Sequence, residues 1–183
     1  MANLLLIMIV AVCSSLFIPV SFASASGAEG RAEGTDVKML HAEHVFDANV
    51  NIGGLLDFGK SKYGERRIIP ITGGKFKGPD IEGVVVPGGA DWQLTRPDGD
   101  VELYARYTLR TDDGALIQVQ NRVLMHMSKD GKPPYTRSVI DFEAPSDSKH
   151  DWLNHAIFLG TLTVPKEMPK DNPYVIISVY KVQ

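Results

Sequence analysis

"VELYARYTLRTDDGALIQVQNRVLM", residues Val101–Met125, is two alternating runs around a short acidic turn. In each run apolar and polar residues take turns, the period-2 mark of a strand with one face in a core. The turn decides the register. A two-residue Asp-Gly loop would set Leu109 against Gln118 and Thr108 against Val119, mixing the faces. A three-residue loop, Asp112-Asp113-Gly114 with the glycine in the left-handed conformation, sorts them. It sets Leu109 against Ile117, Tyr107 against Val119, Ala105 against Asn121, Leu103 against Val123 and Val101 against Met125. The other face receives Thr108 with Gln118, Arg106 with Gln120 and Tyr104 with Arg122. A slip of one residue would turn every side chain over, so the sorting argues for this hairpin and this register together. The apolar face should point inward, and it carries two polar members, Tyr107 and Asn121. Asn121 stands opposite Ala105, the smallest side chain of its row, which leaves room for a guest. The plain alternative is an amide that bonds neighbouring backbone.

Working outward, similar short runs recur: "KMLHAEHVFDANV" (38–50), "RRIIPIT" (66–72), "GKFKG" (74–78), "IEGVVVP" (81–87), "DWQLT" (91–95), "RSVIDFEA" (137–144), "AIFLGTLTV" (156–164) and "YVIISVYKV" (174–182). Gly-, Asp- and Pro-rich turns such as "KGPD", "RPDG", "KDGKPP" and "KDNP" separate them. Short strands at this spacing predict an all-β sandwich or barrel. Only "SDSKHDWLNHAIF" (146–158) suits a helical turn, with Ser146 or Asp147 as its cap.

One junction carries chemistry. In "VVVPGGADWQL" (84–94) a good strand meets Pro87, Gly88 and Gly89, and then Asp91 stands against Trp92. Asp91 and Gln93 share one face, Trp92 and Leu94 the other. A bulge at the glycines could exchange them, so parity alone does not place Asp91.

The chain has 183 residues, one cysteine (Cys13) and a formal charge of −3. It opens with an uncharged apolar run, "NLLLIMIVAV", and reaches Ala23-Ser24-Ala25, an A-x-A cleavage signature. Residues 1–25 are expected to be a signal peptide, which directs the protein to the secretory pathway. No Lys or Arg precedes the apolar run, and the rival reading is a retained anchor. Residues 26–36, small and polar, are expected to be a flexible leader, and 37–183 a single β domain with no stable membrane insertion after cleavage. That domain has no cysteine and so must rely on core and backbone pairing. Its negative balance argues against nucleic acid as a partner. Assembly as a homo-oligomer is left open.

Other motifs carry less. His41 and His44 are three apart, which suits a helix face and not a strand, and no third ligand stands near them. No metal is expected. "ITGGKFKG" lacks the lysine-serine ending of a phosphate loop, and its glycines suit a bulge or strand corner. No G-x-S-x-G elbow is present. Arg66-Arg67 is a solvated edge or an anion clamp. Trp152 and Asn154, in "DWLNHAIF", plug a barrel end or wall a pocket.

The stretches "RRIIPITGGKFKGPDIEGVVVPGGADWQL", "ARYTLRTDDGALIQVQNR" and "DWLNHAIFLG" resemble the domain of unknown function 3237 family, and the likeness runs from about Val37 to Val182. The resemblance implies a compact antiparallel β-barrel of about eight or more strands, similar to allene oxide cyclase and dirigent barrels. Most of that family has no known activity. Some fungal members look like cofactor-independent cyclases that add a hydroxyl across an alkene and close an oxygen heterocycle. This chain departs from the family's usual pattern at Tyr104, where an acidic residue is common, and at Val123, where glycine is common.

Together these readings give a barrel that takes a small hydrophobic secondary metabolite and acts on it as a cyclase or isomerase without a cofactor. The alternative is a non-catalytic small-molecule-binding barrel. Candidate catalytic residues are Asp91, Tyr107 and Asn121. Candidate substrate-binding residues are Trp92, Arg67, Trp152 and Asn154.

Overall fold

The computed structural model describes residues 39–128 and 130–183. The expected signal peptide and leader lie outside these residues. The described chain is built from β1 (Ala42–Ile52), β2 (Leu56–Ser61), β3 (Gly64–Lys77), β4 (Glu82–Thr95), β5 (Val101–Thr111), β6 (Leu116–His126), β7 (Tyr135–Glu143), β8 (Phe158–Thr163) and β9 (Tyr174–Val182), with one 3₁₀ turn at Asp151–His155.

The β5–β6 hairpin has the register derived above, from Leu109 against Ile117 to Val101 against Met125. Gly114 lies in the left-handed region (φ 90°) and ends the turn. The inward face of both strands is buried up to Val123, with Met125 half-buried at its end, and Asn121 is among the buried residues.

All pairings are antiparallel, in the order β1-β9-β8-β7-β6-β5-β4-β3-β2, and a β1–β3 pairing closes the ring. Eight strands therefore form a closed barrel. β2 is a ninth strand laid against the start of β3, and all six of its residues are exposed.

The runs 66–72 and 74–78 are not separate strands but one, β3, bent at Gly73-Gly74. Likewise 81–87 and 91–95 are one strand, β4. Val86 pairs with Thr108 and Ala90 with Arg106, so Pro87, Gly88 and Gly89 together face Tyr107 alone. The bulge inserts two extra residues. An even insertion keeps the alternation, so Val85 before it and Asp91 after it both face inward.

The interior has two unlike halves. At one end Phe46, Phe76, Phe142 and Phe158 pack in tilted and edge-to-face pairs with ring centroids 4.9–6.0 Å apart. The 3₁₀ turn closes this end, with Leu153 fully buried against the same cluster. Each such buried aromatic contributes about 1.5–3 kcal/mol by removal from water. The turn starts at His150 without a side-chain cap, so neither Ser146 nor Asp147 caps it. At the other end Val101, Leu103 and Val123 form a smaller apolar group around a space.

Candidate functional site

That space is a cavity of about 240 Å³. It exceeds the roughly 150 Å³ apolar void known to hold benzene. Its walls are mostly Val, Ile, Leu and Met. Arg67 and four other polar side chains, Asp91, Gln93, Tyr107 and Asn121, interrupt them. A largely apolar chamber with a few convergent polar groups is the usual form of a small-molecule site.

Strand pairing sets these groups in rows. Asp91 on β4 pairs with Ala105 on β5, and Ala105 with Asn121 on β6. The acid and the amide thus flank the smallest side chain of the row. One row toward the open end, Arg67 on β3 pairs with Gln93 on β4. Arg67 Nε donates to Gln93 Oε1 (2.9 Å), and Gln93 Nε2 donates to Asp91 Oδ2 (2.7 Å).

The other carboxyl oxygen, Asp91 Oδ1, is buried and has no hydrogen-bond partner among the described residues, and the same holds for Asn121 Oδ1. A buried polar atom left unpaired costs about 1–3 kcal/mol. Two such atoms on side chains that line one cavity are what a bound molecule with polar groups would satisfy. Burial pushes the Asp91 carboxyl above its ordinary range. The Gln93 hydrogen bond, a weaker backbone contact from Tyr104 and the charge of Arg67 act against that rise without cancelling it. Burial also pushes the Tyr107 phenol up. It therefore stays protonated at physiological pH and offers an O–H, not a phenolate base.

Of the seven candidate residues, Asp91, Tyr107, Asn121 and Arg67 come together around the cavity. Trp92 does not join them. It alternates with Asp91 along β4, so it faces outward, 38% exposed, against a shallow outer groove with Pro87 and Gly88. Trp152 lies at the closed end, 5.9 Å from the Phe158 ring and under the Lys181 ammonium. Asn154 is a brace: its amide bonds both the N–H and the C=O of Ala144 and also Asp151. These two residues hold the 3₁₀ turn in place and are remote in the barrel from the rows that carry Asp91. Gln93 was not among the candidates. Its shared parity with Asp91 was the available signal, but a neutral amide attracts no notice until its partners are known.

The family described as "Protein of unknown function (DUF3237)" matches residues 40–182. The chain belongs to the DUF3237 family. A UPF0311 protein of Rhodopseudomonas palustris is 37% identical over 134 residues, covering 67% of this chain and 87% of that protein. The crystal structure of a protein with unknown function from Clostridium acetobutylicum superposes with a TM-score of 0.71 at 31% identity, covering 81% of this chain and 100% of the other. "Hydroalkoxylation enzyme phnH" of Penicillium herquei is 29% identical over 119 residues, covering 65% of this chain and 72% of that enzyme. One relative of this DUF3237 protein is thus an enzyme, and the expected departures at Tyr104 and Val123 fall on strands that border its cavity.

Proposed function

We propose that this DUF3237 barrel is a cofactor-independent cyclase that closes an oxygen heterocycle in a small, mostly hydrophobic molecule by intramolecular hydroalkoxylation. The observation that carries the reading is Asp91: a half-buried carboxyl, raised above its usual range, with one buried and unpartnered oxygen, in the wall of an apolar cavity. The hydroalkoxylation relative supports it.

The reaction needs an acid and a held conformation. Protonated Asp91 gives its proton to one alkene carbon. The substrate's hydroxyl oxygen attacks the other carbon, the π bond is consumed and a C–O bond forms. The proton lost from that oxygen returns to the Asp91 carboxylate. Substrate and product are isomers, and no oxidant or reductant is consumed. In the bound substrate Asn121 Oδ1 accepts the hydroxyl's hydrogen and so holds the oxygen over Ala105, and that hydrogen passes to the Asp91 carboxylate as the C–O bond forms. Tyr107 and the apolar walls fold the chain into the reactive geometry, and such orientation lowers the barrier through entropy already lost on binding.

The test is turnover in D₂O with apolar molecules that carry a hydroxyl within ring-closing reach of an alkene. The expected product is an isomer of its substrate in which one hydrogen is replaced by deuterium, on carbon. Asp91→Asn should keep most of the affinity and lose about 10²- to 10⁴-fold in kcat, the range for one general acid. Tight binding of such molecules with no turnover by the unaltered protein would favour a non-catalytic binding barrel.

A further inference from the structure

The cavity's polar groups form a directed chain, and its direction bears on where a proton can sit. Arginine has donors and no acceptor. Arg67 Nε therefore forces the neighbouring amide of Gln93 to present its oxygen, and the 2.9 Å bond leaves only the amide NH₂ to face Asp91. The usual ambiguity between the oxygen and nitrogen ends of a glutamine is thereby removed. Gln93 is 6% exposed, and both ends of its amide are taken by protein partners.

The NH₂ group donates to Asp91 Oδ2 at 2.7 Å. In a neutral carboxyl the carbonyl oxygen is the better acceptor and the hydroxyl oxygen the poorer one. A donor fixed on Oδ2 makes Oδ2 the carbonyl. The acid hydrogen is left to Oδ1, the oxygen that has no protein partner among the described residues.

We infer that Arg67 and Gln93 are positioning residues that place the acid proton of Asp91 on Oδ1, the oxygen free to deliver it. The inference rests on Asp91 being the acid of this cavity. Its physical content can nevertheless be read without any substrate. The ionisable neighbours are few. Among the cavity-lining residues β3 contributes Arg67 and β5 contributes Tyr107, while β1, β6, β8 and β9 offer aliphatic side chains, Met125 and the neutral Asn121. Gln93 and Arg67 both favour the charged form of Asp91, which agrees with the direction in which they move its titration.

The consequence is a carboxyl that burial makes easier to protonate and whose hydrogen, when present, is held on one side. Without Gln93 the proton could occupy either oxygen, and some of the protonated molecules would present the wrong one. Without Arg67 the amide could turn over, put its oxygen against Oδ2 and draw the proton to that side.

The experiment is isotope-edited infrared and carbon-13 titration of Asp91 in the full chain, free of ligand. In the unaltered protein below the pKa of Asp91, the carboxyl C=O band should sit low, as a carbonyl that accepts a hydrogen bond. Gln93→Met removes the donor at similar volume. It should move the C=O band to higher frequency and the Asp91 titration to higher pH. Arg67→Leu should also raise the titration, and by less in the Gln93→Met background than alone, because part of its effect passes through the amide. Should Gln93→Met fold poorly, Gln93→Asn keeps an amide but shortens its reach, and it should shift the band in the same direction. If substrates turn over, the limb of kcat that descends with rising pH should move to higher pH in Gln93→Met, since the acid must be protonated. A C=O band and a titration that stay in place in both glutamine variants, while the melting temperature falls, would overturn the inference and leave Gln93 a packing residue. An unmoved proton in a working cyclase and a moved proton in an inert barrel are distinct results, so the two readings fail separately.

Discussion

Gly89 runs directly against Tyr107 on the neighbouring strand, with no room between them for a side chain. A Cβ added there would lie 2.6 Å from the Tyr107 Cβ and 2.5 Å from the Arg106 carbonyl oxygen. Its neighbour Gly88 has open space but holds φ at 112°, which other residues rarely adopt. The pair divides the work of the bulge: Gly88 makes the bend and Gly89 lets β5 come close.

Gly89→Ala should therefore push Tyr107 away from its place in the cavity wall. A loss of about 1–3 kcal/mol is expected, the usual cost of overpacking. Gly88→Ala should cost a similar amount through backbone strain. Calorimetry gives the stability, and affinity for an apolar probe separates the two: only the Gly89 change should weaken binding in the folded protein.

Asp91→Asn should not lower the melting temperature near neutral pH. The folded protein raises the Asp91 pKa above its unfolded value. The folded state then binds more protons than the unfolded state between the two values, and stability falls as pH rises through that window. The wild-type protein should therefore lose stability relative to Asp91→Asn as pH climbs from acid toward the raised pKa. Below the ordinary carboxylate range the difference should vanish. Thermal melts of both proteins across pH check this. A variant that melts lower at neutral pH would mean that Asp91 holds the bulge and does not serve the cavity.

Asn121→Leu should bind ligands more weakly without unfolding the barrel. The side chain is 1% exposed and its Oδ1 has no partner among the described residues, so leucine of similar volume relieves an unpaired polar group. Trp92→Ala is the control from the outer face of β4 and should leave affinity within about twofold. Calorimetric titration with one hydroxylated apolar probe compares them.

Asp113 ties the hairpin tip to the turn that closes the barrel. It accepts a hydrogen bond from the Thr111 hydroxyl and pairs with His150 (3.0 Å) and Lys149 (3.3 Å). The Thr111 and His150 bonds hold its carboxyl well below the usual range. Here the sign is opposite: a lowered folded pKa gives stability that is present above the unfolded value and lost as pH falls through the folded one. Asp113→Ala should lower the melting temperature at neutral pH, and the gap should narrow in strong acid. It should not alter ligand affinity, because the contact lies at the closed end.

The hairpin was legible because its faces sort cleanly in one register only, and Tyr107 and Asn121 follow from it without further information. Asp91 was not legible in the same way. Pro87, Gly88 and Gly89 announce a bulge, but the orientation of everything after it depends on whether the insertion is odd or even. That number is set by the pairing with β5. Trp152 and Asn154 sat beside family-like residues, yet the backbone of Ala144, 10 residues away, claims Asn154 and the ring of Phe158 claims Trp152, and a strand pattern does not show that the 3₁₀ turn folds back on its own flanks. β2 left no trace because every residue in it is exposed, so no alternation is imposed. Gln93 matters through Arg67, 26 residues away, and only the β3–β4 register joins the two.

The strand β1 is the keystone of the ring, paired with β3 on one side and with β9 on the other. At its far contact the Gln183 side chain bonds Glu43 across 140 residues. Contacts of such separation form slowly, because a long loop must close before they repay it. During synthesis the wall of the cavity is missing until β9 has left the ribosome. Until then the edges of β1 and β8 stand open and can pair with foreign strands. A truncation within β9 should thus do more than trim the barrel: it should leave two sticky edges and no chamber, and make the chain prone to aggregate.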